Sequence, residues 1–532
     1  MFEHVARPQE LRGYPAATGK RQARLAARER IAFRGILAAA EAVAAANEAD
    51  YKRRNPPAGA RSACASGSEA LMAIEQVLSA IDRGLEQSLQ RLFRLLRIKS
   101  ISTDPAFKDE CLAAAAWLAS ELDAIGFDAQ VRPTAGHPMV LAHSRGAENN
   151  GPRVLFYGHY DVQPPDPLEL WTTPPFEPRL VESGGRKRVV ARGVADDKGQ
   201  LMTFVEACRA FVTVEGKLPL PVTILFEGEE ETGSPSLMPF LDANRAALKA
   251  DLALVCDTDM WDAETPAITT MLRGLVLEEV IVRGADRDLH SGLFGGAAIN
   301  PIRVLARVLA DIHGADGRVA IPGFYEGVRE LDPEIRAQWA ALPFDEKKFL
   351  GDLGLSVAAG ERGRGVLEQI WARPTCDVNG IWGGYTGEGS KTVIPARASA
   401  KVSFRLVGEQ DPAKVRDAFR AFARARLPAD CKAEFISHGA SGALSLPLAS
   451  PALLQTRAAL AAEWGRPAVL KGSGGSIPIV GAFKRELGMD SLLVGFGLDD
   501  DRIHSPNEKY ELTSFHKGAR SWARILAALA KS

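Results

Sequence analysis

The segment VLFYGHYD, residues 154–161, sets the pattern for much of the chain: an apolar run leads directly into a histidine and an aspartate. Two later segments repeat the pattern, VTILFEGEEE at residues 222–231 and LALVCDTD at residues 252–259. Apolar runs of roughly four to eight residues are typical of strands that are buried on both faces of a sheet. We therefore predict an α/β sheet with polar side chains at the carboxyl ends of its strands, where such sheets bind ligands.

Helical segments separate these strands along the chain. An amphipathic helix at residues 108–126 precedes strands at 128–133 and 140–143, and further helices follow Asp197 and Ser234. Alternation of strands with helices predicts a sheet that carries helices on both faces.

The pattern changes after Leu272, where long strands and amphipathic helices follow one another, and the earlier alternation resumes from about Leu446. We expect an α/β catalytic domain with a mixed sheet flanked by helices, interrupted by an inserted α+β lid and dimerisation domain. The predicted parts are residues 72–270 and 444–532 for the catalytic domain and residues 271–443 for the lid.

Size and composition narrow the class of protein. The chain has 532 residues, a formal net charge of -1 and 25% charged residues, so no global attraction to nucleic acid or to an anionic membrane is expected. No apolar run approaches the roughly 18 to 20 residues that span a bilayer. The six cysteines are scattered without a CxxC pair, which favours a reducing compartment and predicts a cytoplasmic protein.

Residues 1–71 differ from the rest because they are rich in arginine and alanine. Two interpretations compete: a flexible basic extension, or translated sequence upstream of a true start at Met72. We favour the second because the sequence after Met72 is typical of a first helix. Neither interpretation assigns chemistry to this segment.

Acidic and imidazole side chains follow five of the predicted strands. Each of them alone is commonly an ordinary polar residue, a helix cap or part of a solvated face. Together they predict a metal site, since five strand ends each deliver a side chain of a metal-ligating type. The residues at these strand ends are His159 and Asp161, Asp196 and Asp197, Glu229, Glu230 and Glu231, Asp257 and Asp259, and His504.

The types of ligand indicate which metal is bound and how many ions there are. Imidazole and carboxylate without thiolate suit Zn, Mn or Co, and we expect zinc. Two histidines and at least three carboxylates exceed the needs of one tetrahedral ion, which favours two ions that share a carboxylate and a water molecule. Asp161 lies on the same side of its strand as His159, so it can orient the imidazole ring. Of the adjacent Glu230 and Glu231, one should bind metal while the other acts as a general base.

Several motifs resemble those of a known family, the co-catalytic zinc metallopeptidases that include carnosine dipeptidases, carboxypeptidase G, aminoacylases and succinyl-diaminopimelate desuccinylase. The likeness runs from about residue 72 to the C-terminus and is greatest for the dipeptidase branch. The motifs, in family order, are GHYDVQPPDPLELWTTPPFEP, ARGVADDKG, EGEEETGS, DLHSG, KTVIP, GGSIP and HSPNE.

The resemblance implies a role for each residue at the strand ends. Asp196 would bridge two metal ions, one completed by His159 and Asp259 and the other by Glu231 and His504. Glu230 would then be the general base, and Asp161 the carboxylate that orients His159. The resemblance also implies that the peptide bond between Asp196 and Asp197 can be cis.

The lid residues are implied by the resemblance alone. His290 would stabilise the oxyanion, in some relatives from the neighbouring subunit of a homodimer formed through the lid. Arg405 would bind the carboxylate of the substrate, for which a guanidinium group is geometrically suited. Thr392 and Ser476 would add hydrogen bonds.

The function implied by the resemblance is metal-dependent hydrolysis of the amide bond of small peptides, above all dipeptides. The alternative is hydrolysis of an N-acyl, N-succinyl or N-carbamoyl amino acid at the same site. A non-catalytic relative is disfavoured, because every ligand position and the base carry the expected type of residue.

The glycine-rich segment GSGGS at residues 472–476 does not predict a phosphate-binding loop, because it lacks the lysine of such a loop.

Overall fold

The structure is a computed structural model that describes residues 63–147, 151–475 and 477–531. Every strand in these residues belongs to one compact unit, Ile74–Ser532. The expectations for residues 1–71 lie outside the described residues, apart from the first turns of a helix that begins at Ala63.

Eighteen strands occur in the described residues. They are β1 (Phe127–Arg132), β2 (Met139–Ser144), β3 (Val154–His159), β4 (Arg179–Ser183), β5 (Arg186–Val190), β6 (Val222–Glu227), β7 (Leu252–Val255), β8 (Ala267–Leu272), β9 (Gly274–Arg283), β10 (Leu289–His290), β11 (Thr375–Gly383), β12 (Val393–Ile394), β13 (Arg397–Leu406), β14 (Lys432–Ser441), β15 (Leu444–Ser445), β16 (Val469–Ser473), β17 (Asp490–Leu493) and β18 (Lys509–Glu511).

Fourteen α-helices accompany them in the same residues. They are α1 (Ala63–Leu96), α2 (Lys108–Asp123), α3 (Lys198–Glu215), α4 (Leu237–Ala243), α5 (Arg245–Leu248), α6 (Ser291–Phe294), α7 (Pro301–Ala310), α8 (Pro333–Ala340), α9 (Glu346–Asp352), α10 (Val366–Trp371), α11 (Pro412–Arg424), α12 (Pro451–Trp464), α13 (Pro478–Leu487) and α14 (Leu512–Leu529).

The largest sheet has nine strands in the order β1-β2-β6-β3-β7-β17-β8-β15, with β16 paired to β8. Strand β3 lies between β6 and β7 and is parallel to both. The register pairs His159 with Glu227 and Tyr157 with Val255. The carboxyl ends of these three strands therefore meet at one edge of the sheet, as the sequence predicts.

A second sheet has four antiparallel strands in the order β11-β13-β9-β14. It packs against helices α7 and α11 and encloses a separate core that includes Val280, Phe404 and Phe419. All the residues of this core lie between the two parts of the chain that build the large sheet. The predicted fold class is confirmed, and the boundaries at residues 271 and 443 stay a prediction.

The two parts of the chain that build the large sheet share the main core. Phe156 of β3 stacks on Phe204 of α3 with their ring centroids 3.7 Å apart. Trp522 of α14 meets both rings edge-on, at 5.5 Å from each centroid. Such aromatic packing stabilises the fold through buried apolar area and through ring geometry. The C-terminal helix is thereby joined to the strand that carries His159.

No helix in the described part of the chain is long and apolar enough to cross a membrane. Five cysteines are free and buried, which suits small apolar core residues: Cys111, Cys208, Cys256, Cys376 and Cys431.

Candidate metal centre

His159 is the last residue of β3, and its side chain is fully buried. Its Nε2 atom lies 3.0 Å from Oδ1 of Asp196. Its Nδ1 atom faces Asp161, at 3.2 Å from the carbonyl oxygen and 3.4 Å from Oδ1. A proton on Nδ1 would be shared between the carbonyl oxygen and Oδ1 of Asp161. Nε2 would then be left free to bind a metal ion.

Asp196 joins two groups of side chains. While its Oδ1 faces His159, its Oδ2 lies 2.9 Å from Nε2 of His504, which is 3.2 Å from Oε2 of Glu231. Among the described residues, two groups of side chains are able to hold a cation: His159, Asp196 and Asp257 form the first, and Asp196, Glu231 and His504 form the second. The peptide bond between Asp196 and Asp197 is cis.

Asp257, and not Asp259, lies beside His159. Its Oδ2 is 4.0 Å from Nε2 of the histidine, within the first group. Asp259 belongs to neither group: its Oδ2 accepts a hydrogen bond of 2.6 Å from Lys471, and its backbone bridges to Gly497. The role of Asp259 as a metal ligand stays a prediction, and the geometry favours Asp257 in its place, because the lysine holds the Asp259 carboxylate in an ion pair.

The three consecutive glutamates have three different environments. Glu229 accepts hydrogen bonds from two backbone amides, those of His137 at 2.8 Å and Ser236 at 3.1 Å. Glu231 faces His504 and also accepts a hydrogen bond of 2.8 Å from Gln163. No side-chain hydrogen bond to Glu230 occurs among the described residues, and burial raises the pKa of this carboxyl. Glu230 therefore remains available to exchange a proton.

Asp161 contacts His159 and also holds the backbone of Glu230 and Glu231. Its Oδ1 accepts a hydrogen bond from the amide of Glu230 at 3.2 Å, and its Oδ2 one from the amide of Glu231 at 3.0 Å. Ser102 donates a further hydrogen bond of 2.6 Å to Oδ2. Because Asp161 is completely buried, these donors replace the solvent that would otherwise stabilise its charge.

Glu508 is a positioning residue that the sequence reasoning missed, although it stands in the HSPNE motif. Its buried carboxylate accepts hydrogen bonds from three successive parts of the loop before α3: the amides of Gly193 and Ala195, each at 2.8 Å, and that of Asp196 at 3.2 Å. Arg192 completes the group with an ion pair of 2.8 Å. Glu508 thus connects the loop that carries Asp196 to the segment that carries His504.

The negative charges of the centre are not balanced by lysine or arginine side chains in the described residues. In the part of the chain that the structure describes, no lysine or arginine forms an ion pair with the central carboxylates, which are those of Asp161, Asp196, Glu230, Glu231 and Asp257. Burial, with the charges of Asp196 and Asp197, raises the pKa of Asp257 well above its usual value. Hydrogen bonds to Asp196 and Glu231 raise the pKa of His504 to about 10. Such a set of oxygen and imidazole donors fits divalent cations.

The predicted lid residues lie outside these two groups. His290 is exposed, pairs with Val393 across β10 and β12, and accepts a hydrogen bond of 3.0 Å from Gly292 through Nδ1. Thr392 is exposed next to it, and its carbonyl oxygen accepts a hydrogen bond from the amide of Ser291. Arg405 is half-buried on β13. In the described residues none of these side chains contacts either group, and Ser476 lies outside the described residues.

Comparison with known proteins relates this chain to one family. The family model of peptidase family M20/M25/M40 matches residues 155–528. The chain is 29% identical to the Cys-Gly metallodipeptidase DUG1 of Saccharomyces cerevisiae over 86% of this chain and 98% of that protein. It is 26% identical to the Beta-Ala-His dipeptidase of Homo sapiens over 86% of this chain and 93% of that protein.

Solved structures show the same likeness. The M20 family metallo-carboxypeptidase Sso-CP2 of Sulfolobus solfataricus has a TM-score of 0.71 and 30% identity, over 84% of this chain and 99% of that one. The dipeptidase Dug1p of Saccharomyces cerevisiae has a TM-score of 0.68 and 27% identity, over 86% of this chain and 99% of that one.

The two aspartates that follow β7 can be separated by substitution. We expect Asp257→Asn to lower the amount of zinc retained per chain, because a neutral amide replaces a charged donor in the first group. We expect Asp259→Asn to retain as much zinc as the wild-type protein, since Asp259 faces Lys471. Metal analysis after zinc loading and desalting measures both. Loss of zinc from Asp259→Asn alone would return the ligand to Asp259.

Proposed function

We propose that this chain, which belongs to peptidase family M20/M25/M40, hydrolyses dipeptides at a centre of two divalent metal ions. The family makes it a metal-dependent peptidase, and relatives such as the Cys-Gly metallodipeptidase and the Beta-Ala-His dipeptidase suggest the class of substrate. The observation that carries the proposal is the shared carboxylate of Asp196, each oxygen of which faces a different histidine.

The proposed ligands follow the two groups of side chains. His159 and Asp257 would hold one ion, Glu231 and His504 the other, and Asp196 both. We propose zinc, because imidazole and carboxylate donors without thiolate suit it, although manganese and cobalt share this preference. Two such ions, when bound, would lower the pKa of a water molecule and polarise the scissile carbonyl group.

Glu230 is the proposed general base. It lies next to the proposed ligand Glu231, is half-buried, and has no competing side-chain hydrogen bond among the described residues. In this proposal its carboxylate takes a proton from the attacking water and passes that proton to the leaving amine as the peptide bond breaks. The hydrogen bonds of Asp161 to the amides of Glu230 and Glu231 would hold the base in place.

The proposed lid, residues 271–443, would supply contacts to the substrate. Arg405 would bind the substrate carboxylate, and His290 would stabilise the oxyanion. Thr392 and Ser476 would add hydrogen bonds. Because His290 is exposed and contacts neither metal group among the described residues, it requires closure of the lid or delivery from another subunit.

We also propose a homodimer formed through the lid and a cytoplasmic location. The edge strand β11 exposes apolar side chains at Val378, Ile381 and Trp382, which a second copy of the chain would cover.

The cytoplasmic location is supported by the pattern of free, buried cysteines in the described residues.

The role of Glu230 can be tested by Glu230→Gln. We expect the variant to retain zinc and to lose about three or more orders of magnitude in kcat, since the amide cannot accept the proton. Steady-state kinetics on a dipeptide, with metal analysis of the same preparation, measures both effects. Glu182→Gln on the exposed strand β4 is the matched control and should keep normal turnover. Near-normal kcat in Glu230→Gln would remove the general-base assignment.

The substrate class can be tested with a panel of compounds. We expect the zinc-loaded protein to hydrolyse dipeptides such as Cys-Gly and β-Ala-His with higher kcat/KM than N-acetyl, N-succinyl or N-carbamoyl amino acids. Release of free amino acid, followed by chromatography, measures each compound in the same way. A preference for the acylated or carbamoylated compounds would replace the dipeptidase assignment with the alternative amidohydrolase.

Sharing of His290 between subunits can be tested by mixing two inactive variants, Glu230→Gln and His290→Ala. If His290 acts on the neighbouring site, mixed dimers contain one site with both residues intact, and the mixture regains activity that neither variant has. Turnover after unfolding and refolding the two together, compared with each alone, measures this. A mixture as inactive as its components would contradict action between subunits.

A further inference from the structure

Arg273 stands at the junction between the two sheets, directly after β8 and before β9. It is half-buried, and its backbone amide donates a hydrogen bond to the carbonyl oxygen of Ser473. Its Nε atom donates another, of 3.2 Å, to the carbonyl oxygen of Gly474. These contacts fix the guanidinium group against the loop that follows β16.

The register of the second sheet brings Arg273 close to Arg405. Leu275 lies directly opposite Arg405 on the neighbouring strand, and Arg273 precedes Leu275 by two residues. Since alternate residues share a face, Arg273 is a diagonal neighbour of Arg405 on one face of the sheet. Burial, together with the charge of Arg405, lowers the pKa of Arg273 to about 10.

The two guanidinium groups have no carboxylate as an ion-pair partner among the described residues. Asp377 of β11 is the acidic group near Arg273, but it is exposed and accepts only a long hydrogen bond, of 3.5 Å, from Thr375. Half-buried cations held side by side repel one another and lose part of their hydration. A carboxylate ligand would relieve both effects, because each guanidinium can present paired N–H donors to it.

The neighbouring glycine leaves room for this arrangement. A Cβ atom on Gly474 would lie 2.8 Å from Nη2 of Arg273. The backbone of Gly474 does not have a positive φ, so the need for glycine here comes from space. The glycine at position 474 is thereby explained by an arginine that packs against it, whereas a Cβ atom on Gly472 would meet Trp371.

We propose that Arg273 acts with Arg405 in binding the C-terminal carboxylate of the substrate, and is thus a second residue that determines specificity for a free C-terminus. The proposal rests on the proposed dipeptidase function. Arg405 is expected there from the family resemblance, whereas Arg273 is inferred from its position, its orientation against Gly474 and its lack of an ion-pair partner in the described residues. Arg273 and Arg405 carry two positive charges, and the one carboxylate near them is the exposed Asp377. A substrate carboxylate would supply the second negative charge.

The test compares Ala-Ala with its C-terminal amide, using the zinc-loaded full-length protein. The wild-type protein should prefer the free acid. Arg273→Gln should lower kcat/KM for the acid by about 10- to 100-fold, mainly through KM, and change that for the amide little, because a charge-assisted interaction is lost. Arg273→Lys should restore part of the preference. The ratio of the two substrates in one preparation does not depend on the folded fraction.

Two further variants make the result specific. Gly474→Ala keeps Arg273 but fills the space beside Nη2, and should also reduce the preference for the acid. Arg283→Gln, on the same strand β9 but paired with Glu434 at the surface, is the matched control and should keep the preference.

Three outcomes would overturn the proposal. If Arg273→Gln and Gly474→Ala keep the wild-type ratio while Arg405→Gln loses it, Arg273 has no part in binding and the dipeptidase function stands. A wild-type protein that hydrolyses the acid and the amide equally well lacks carboxylate recognition altogether. A wild-type protein that hydrolyses neither compound, nor any other dipeptide, overturns the proposed function and this inference with it.

Discussion

Mutual repulsion among buried and half-buried carboxylates is the constraint on which this structure depends. Asp161, Asp196, Glu230, Glu231 and Asp257 converge at one edge of the large sheet, and no lysine or arginine forms an ion pair with them in the described part of the chain. Such a cluster raises the free energy of the fold unless cations bind to it. Two histidines face different oxygens of this cluster, an arrangement that fits a metal site better than an ion-pair network.

The surrounding structure holds these charges in place with backbone amides. Asp161 accepts hydrogen bonds from the backbone amides of Glu230 and Glu231. Glu229 accepts hydrogen bonds from the amides of His137 and Ser236. Glu508 accepts three such hydrogen bonds from the loop that leads to Asp196. A carboxylate that accepts several amide hydrogen bonds fixes the path of the backbone as well as its own charge. The side chains proposed as metal ligands are thus positioned by acidic residues that lie outside both candidate metal groups.

The topology explains why distant parts of the chain meet here. Strands β3, β6 and β7 are parallel neighbours, so their carboxyl ends bring His159, Glu231 and Asp257 to one edge. His504 reaches the same edge because the C-terminal piece returns to the main core, where Trp522 packs against Phe156 and Phe204. The insertion between the two pieces forms its own core, which leaves the large sheet intact.

The amino-acid sequence alone determined the α/β class, the inserted second sheet and the kinds of side chain at each strand end, because these depend on local periodicity and on residue type. It did not separate Asp257 from Asp259, since both lie on the same side of an extended chain, and the ion pair with Lys471 that gives Asp259 a different environment joins residues far apart in sequence. The roles of Glu508 and Arg273 were hidden for the same reason: their partners at Asp196 and Gly474 come from distant segments. Only the tertiary structure, which sets long-range distances and burial, assigned these carboxylates and guanidinium groups to their places.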